Sequence, residues 1–344
     1  TAYVKGLQGP SLDDGIVATG KHFVGYGMTE GGMNWSPAHI AARELHEVYL
    51  LPFEAAIKEA GLASIMNAYH ELDGVPCGSS KELLTEILRE RWGFDGTVVS
   101  DYFAVNMLME YHRLALDKAQ AAALALEAGI DIELPKADCY AAPLRQAIES
   151  GAVRESLLDE VVRRVLAQKF VVGVFEQPYV DAGKVDFDTA QDRALARKLA
   201  QKSFVLLRNE GDLLPLKPEI GSLAVIGPNA DSLRNLFGDY AYPAHMESLL
   251  EMSETNVFNM PIPQGVTEIT DFVPTVSVLT AIRERVSAGT QVHYARGCAV
   301  LDDSRDGFAE AVEAARNADV AVMVMGDKAG ITDGCTSGEA CDRA

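Results

Sequence analysis

Apolar residues in the first 135 positions of the chain gather into four short runs, at positions 15–23, 62–67, 96–100 and 128–134. Runs of this length, bounded by Gly, Ser and Asp, predict buried strands. Between them lie helical patterns. Residues 42–60 carry apolar side chains at helical spacing, and 81–91 does the same after Ser79 and Ser80, which are suited to cap it. Strand-then-helix units in series predict a parallel sheet. An eight-unit barrel takes about 250 residues, so four such units amount to about half of one. A helix over 155–170 would close this region.

Residues 177–188 hold Pro, Gly and several acids without periodicity and read as a linker, followed by a helix over 189–201. A second set of apolar runs then appears at 204–208, 223–227, 291–295 and 320–326, with helical patterns at 276–286 and 307–317. The domain boundaries expected are therefore a half-barrel over 1–176, a linker and connecting helix over 177–200, and a second α/β domain over 201–344. That second domain has too few elements to cover both faces of its sheet, so the chain reads as a fragment at both ends.

Composition narrows the picture. With 344 residues, 48% hydrophobic and 23% charged, the chain reads as an ordinary globular protein with sizeable cores. The apolar run at 320–325 is far below the ~18 residues that a membrane helix needs. The chain opens without a basic, then apolar, leader, which leans the expectation toward the cytoplasm. Fifty acidic residues against thirty basic ones give a net charge of −20, a field that repels phosphate backbones and argues against nucleic acid as a partner. A homodimer is compatible with this composition. The five cysteines, Cys77, Cys139, Cys298, Cys335 and Cys341, are odd in number and widely spaced, and no CxxC pair occurs. Reduced thiols are expected, with a Cys335–Cys341 bridge left open.

Candidate chemistry sits where the four early runs end. In a parallel α/β barrel, function collects at the C-terminal ends of strands. The first run ends in Lys21 and His22, the second in Asn67, Tyr69 and His70, the third in Asp101 and Tyr102, and the fourth in Asp131 and Glu133. Every one of these can ionise or hydrogen-bond a polyol. Asp101 follows "GTVVS" directly and reads equally well as a functional carboxylate or as a cap on the next helix. Trp35 and Trp92 could stack on sugar rings, although Trp92, at the end of "LRERWGF", fits a core position better. Glu339 lies in a loop of small residues, "TSGEACDRA"; a glutamate in such a place is ordinarily solvated surface.

The motifs together resemble glycoside hydrolase family 3. "GKHFVGYG", "IMNAYHELDGVPCGSS", "WGFDGTVVSDYFAV" and "AGIDIELP" are similar to its successive barrel strands; "SFVLLRNEGDLLPL" and "AVIGPNAD" resemble the entry to its second domain, and "SGEACDR" its acid/base loop. The resemblance runs in order over nearly the whole chain. It implies a partial (β/α)8 barrel followed by an incomplete α/β sandwich. It further implies a retaining exo-acting β-glycosidase without metal or organic cofactor, with Asp101 as nucleophile and Glu339 as acid/base. Lys21, His22, Met66 and Tyr69 would contact the sugar. Tyr102 stands where many family β-glucosidases have Trp, which bears on the aglycone side. The residues after Glu339 are Ala340 and Cys341, where Gly with an aromatic residue is frequent, while the Asp342–Arg343 pair is retained. Substrates implied are oligosaccharides or aryl β-glycosides, β-glucosides first and β-xylosides second.

Three other readings compete. Family members that act as N-acetylglucosaminidases have a second His shortly after the Lys–His pair; here that position is Tyr26. A nucleotide-binding turn at "AVIGPNAD" lacks GxGxxG, and Pro228 removes a backbone donor. An inactive carbohydrate-binding relative is the alternative from outside catalysis.

Overall fold

The computed structural model describes residues 1–186, 188–251, 274–332 and 334–339. The chain folds as two compact units, Thr1–Val180 and Asp181–Arg343. Both are mixed α/β with parallel sheets.

The first unit is built on β1 (Thr19–Phe23), β2 (Ser64–Asn67) and β5 (Thr97–Val99), in the order β1-β2-β5. Both pairings are parallel, with Ser64 opposite Thr19 and Thr97, and Met66 opposite Val99. All three strands therefore end on one edge. The register of β1 shifts between Gly20 and Phe23, and its Lys21–His22 and Phe23–Val24 peptides are cis. Phe23, Ile65 and Val98 are fully buried beneath this sheet, and Leu84, Ile87 and Leu88 from the helix Glu82–Arg91 pack in the same core. Between β2 and that helix, β3 (Glu71–Leu72) and β4 (Val75–Pro76) form a small hairpin. Asp73 and Gly74, both at positive φ, make its turn, the type I′ geometry that Asp-Gly favours.

At the other end of the strands, Gln168 joins the helix Glu155–Val171 to the sheet. Its Nε2 donates to the Ala63 carbonyl at 2.9 Å, and Thr97 Oγ1 donates to its Oε1 at 3.0 Å. The helix predicted over 42–60 is observed as Ala42–Glu44, a wider turn Leu45–Tyr49, and Leu51–Ala60.

One predicted strand, 128–134, is not a strand. The helix Lys118–Ala128 occupies its start, and beyond Gly129 a single bridge joins Ile132 to Val99. The reason lies in Asp131. Its Oδ2 accepts the Val98 amide at 2.7 Å, so a side chain stands where a strand would have offered a carbonyl. Arg89 Nη2 and Arg164 Nε each reach the same carboxylate at 2.7 Å.

The second unit has β6 (Ser222–Ile226) at the centre, with β7 (Gln291–Ala295) and β8 (Val320–Met323) on either side, all parallel. Ala224 and Ile226 face Ala314 of the helix Phe308–Arg316. Val225 faces Leu279 of the helix Val278–Arg285. Helices cover opposite faces, as a parallel sheet requires. Gly227 (φ 136°) ends β6, and a Cβ there would stand 2.1 Å from the Val324 carbonyl, so only glycine fits. The strand predicted over 204–208 does not form. Phe204, Val205 and Leu207 are each more than three-quarters exposed, and the segment pairs with no strand among the described residues. Its side chains suit a strand, but without a partner ladder its backbone groups stay with water.

Candidate active site

The shared edge of β1, β2 and β5 carries the residues expected there. Asp101 follows β5 and is 6% exposed. Its Oδ1 accepts the Tyr102 amide at 2.8 Å, and its Oδ2 lies 3.4 Å from His22 Nε2. The helix-cap reading of Asp101 does not hold. The next helix, Ala104–Glu110, starts after Phe103, which sits in the left-handed region (φ 64°), and has no side-chain cap. The carboxylate is thus held at the strand end, out of the helix.

His22 is brought to Asp101 by the irregular register of β1. Burial, then the charges of Lys21 and His70, pull its pKa down to about 4. At neutral pH the imidazole is therefore uncharged, and it stands beside the carboxylate as a dipole. The Tyr26 ring packs against it at 4.5 Å. Lys21 is exposed on the same strand, while Met66 and Tyr69 are half-buried along β2 and just after it.

Other strand-end residues turn inward. Asn67 and His70 are fully buried. Asn67 Nδ2 donates to the Ala68 carbonyl at 2.8 Å, and His70 Nε2 lies 4.0 Å from Cys77 Sγ. Burial pulls the His70 pKa down to about 4. Asp131 is spent on Arg89, Arg164 and Val98, and Glu133 accepts the amides of Asp138, Cys139 and Tyr140 at 2.7–3.0 Å. These two carboxylates hold the fold. Trp92 is buried, its ring 6.0 Å from Phe23, as its core reading requires.

Beside Tyr69 stands an aromatic ledge that sequence reading did not assemble. Trp35 lies 6.1 Å from the Tyr69 ring and 5.7 Å from Tyr111, whose hydroxyl donates to the Trp35 carbonyl at 3.1 Å. Trp35 and Tyr111 are 47% and 46% exposed. His112 Nε2 meets the Tyr69 carbonyl at 2.9 Å, so that nitrogen carries the hydrogen. Trp35 and Tyr111 are 76 residues apart, and no local pattern links them.

Glu339 belongs to the second unit. It lies half-buried in the loop after β8, and its backbone amide donates to Asp239 Oδ2 at 2.9 Å. Ala340, Cys341 and the Asp342–Arg343 pair lie outside the described residues, while Cys335 is a free, buried thiol, as the expectation of reduced cysteines has it. No helix among the described residues is long and apolar enough to cross a membrane.

A mixed α/β chain with a buried carboxylate at a parallel strand edge fits many hydrolases, and comparison narrows the class. Residues 1–168 match the glycosyl hydrolase family 3 N terminal domain, and residues 204–344 match the glycosyl hydrolase family 3 C-terminal domain. The chain belongs to glycoside hydrolase family 3. It is 35% identical over its full length to a β-xylosidase of Formosa agariphila, covering 46% of that protein. It is 33% identical to a periplasmic β-glucosidase of Salmonella typhimurium, over 97% of this chain and 44% of the relative. The structure of a β-glucosidase from Listeria innocua in complex with glucose superposes with a TM-score of 0.81 at 32% identity, over 99% of this chain and 43% of that one. The chain thus spans somewhat less than half the length of these relatives.

Proposed function

We propose that this chain carries the catalytic residues of a retaining, exo-acting β-glycosidase that releases the terminal non-reducing sugar. On this reading the first unit is the C-terminal half of a (β/α)8 barrel and the second part of an α/β sandwich. The observation that supports it most is Asp101: a carboxylate 6% exposed at the strand edge, oriented by the Tyr102 amide and the neutral His22.

In the first step an Asp101 oxygen forms a bond to the anomeric carbon as the glycosidic C–O bond breaks, and Glu339 gives its proton to the departing oxygen. In the second, Glu339 takes a proton from water, whose oxygen bonds the anomeric carbon and releases Asp101. Such chemistry needs two carboxyl groups about 5–5.5 Å apart. An uncharged His22 suits the nucleophile, since a charged imidazolium so close would draw electron density from the attacking oxygen. Lys21, Met66 and Tyr69 would hold the sugar. Tyr102 and the exposed face of Trp35 would meet the aglycone.

β-Glucosides are the first substrate choice. β-Xylosides are the second reading, which the full-length likeness to a β-xylosidase favours. The test is kinetic and uses the full-length protein. Asp101→Ala should abolish turnover of aryl β-glycosides, and Glu339→Ala should be rescued in part by azide. Full activity in Asp101→Ala removes the nucleophile assignment, and a clear preference for aryl xyloside reverses the order of substrates.

A further inference from the structure

Glu339 sits at the end of a loop that is laced to itself and pinned at two points. Beyond β8, residues 327–332 run back against residues 334–339. Thr336 N donates to the Lys328 carbonyl at 2.9 Å, Lys328 N to Thr336 Oγ1 at 3.0 Å, and Gly330 N to the Ser337 carbonyl at 2.9 Å. Gly330 fills a seat in which a Cβ would stand 2.4 Å from Cys335 Sγ and 2.7 Å from Arg234 Nη2. Such an arc has little slack of its own. Asn229 Nδ2 holds its start, donating to the Asp327 carbonyl at 3.4 Å, and two carboxylates anchor it further.

At the root, Glu247 of the helix Tyr242–Glu251 accepts Lys328 Nζ at 2.9 Å and Arg234 Nε at 2.6 Å. Their side chains are 20% exposed or less, so the attraction is poorly screened. Burial alone would favour the protonated Glu247, but the hydrogen bonds from Lys328 and Arg234 outweigh it and keep the carboxyl below its ordinary range. At the tip, Asp239 Oδ2 accepts the Glu339 amide at 2.9 Å. Gly338 enters that contact at φ 114°, where a Cβ would lie 2.7 Å from the Gly330 carbonyl and 3.0 Å from Asp239 Oδ2. A carboxylate on a backbone amide is a charge-assisted bond, roughly twice as strong as a neutral one.

We propose that Asp239 and Glu247 are positioning residues for the acid/base: Asp239 fixes the backbone of Glu339, and Glu247 fixes the root of its loop through Lys328. The proposal rests on the reading of Glu339 as the proton donor. A general acid must stand within hydrogen-bond reach of the departing oxygen, and displacement by about 1 Å can cost on the order of a hundredfold. Neither residue need touch substrate to have this effect.

The readout is leaving-group dependence, which a merely structural role does not move. In the full-length protein, kcat/KM is measured for Asp239→Ala, Asp239→Asn, Glu247→Gln and Glu339→Ala. The substrates are 2,4-dinitrophenyl β-glycoside, whose leaving group needs no proton, and an alkyl β-glycoside, whose leaving group does. Asp239→Ala should lose about tenfold to a hundredfold on the alkyl substrate and less than about threefold on the dinitrophenyl one. Asp239→Asn retains an acceptor oxygen and should recover most of the loss. Glu247→Gln keeps the shape of the anchor, should fold, and should show the same asymmetry at smaller size. Equal losses on both substrates, or none, in Asp239→Ala and Glu247→Gln overturn the proposal while Glu339→Ala remains leaving-group dependent. A Glu339→Ala variant indifferent to the leaving group overturns the acid/base reading and the proposal with it.

Discussion

Replacing Asp131 by alanine tests the assignment of that residue to the fold. Its side chain is wholly buried, and three donors converge on it at 2.7 Å: Arg89 Nη2, Arg164 Nε and the Val98 amide. Alanine removes one charge and leaves two guanidinium groups and a buried N–H behind. Breaking a buried pair from one side typically costs about 3–5 kcal/mol. Here Arg89 and Arg164 are 14% and 22% exposed, and Arg89 keeps the Gly96 carbonyl at 3.1 Å, so their share falls at the lower end. The orphaned Val98 amide adds about 1–3 kcal/mol. The sum, about 4 kcal/mol, is a large part of a total stability on the order of 5–15 kcal/mol and corresponds to a fall of about 10 °C in the melting of a cooperative unit the size of Thr1–Val180. Circular dichroism melting of wild type, Asp131→Ala and Asp131→Asn in the full-length protein measures it, with KM for an aryl glycoside taken on the folded protein. Asparagine retains acceptor capacity and should lose less. A change below about 1 kcal/mol would refute the reasoning. So would an unaltered Tm together with a raised KM, which would return Asp131 to sugar binding.

The histidines give a pH prediction. His22 and His70, with pKa values near 4 in the fold and 6.5 as the ordinary value, favour the folded state fully above pH 6.5. That contribution is lost as pH falls from 6.5 toward 4, by up to about 3 kcal/mol each. Imidazole NMR shifts should show both rings neutral at pH 5.5, and protonation of both at pH 6 would contradict their burial. Among the described cysteines, Cys77, Cys139 and Cys335 are buried, the first two with thiols pushed up to about 12, and Cys298 is half-buried. Maleimide labelling of the native protein, mapped by mass spectrometry, should therefore mark Cys298 well before Cys77, Cys139 and Cys335; equal rates would contradict this.

The fold is legible in the sequence where burial and period agree. The runs at 62–67, 96–100 and 291–295 contain β2, β5 and β7, and 223–227 overlaps β6; burial is fullest in β2 and β6, each of which lies between two parallel neighbours. The run at 204–208 looks the same by composition yet forms no strand, since pairing is a property of two segments and one sequence window shows only one. The β3–β4 hairpin escapes a reading by pattern although "LDGV" carries the Asp-Gly turn signal, because each arm is two residues long. The helix Lys118–Ala128 escapes it for a different reason. Its cap is visible as Asp117 bonded to the Gln120 amide, but its Ala-rich face gives little contrast between buried and exposed sides.

Site residues divide on the same ground. Asp101, Asp131 and Glu133 all stand at or near strand ends, and sequence position gives them equal claims. What separates them is where their acceptor oxygens go. Glu133 is satisfied locally by amides five to seven residues on, a loop cap in function. Asp131 is satisfied from afar, by an arginine 42 residues before it and another 33 after. Asp101 takes one amide from its neighbour Tyr102, and its other oxygen stands beside a neutral imidazole. A carboxylate enclosed by arginines is fixed as an anion and has its lone pairs engaged, which suits it to holding elements together and unsuits it to attack. The pattern of residue types could place three acids at one rim; the donors that tie Asp131 and Glu133 to the fold, spread from Arg89 to Arg164, are visible only in the structure, and Asp101 remains the proposed nucleophile.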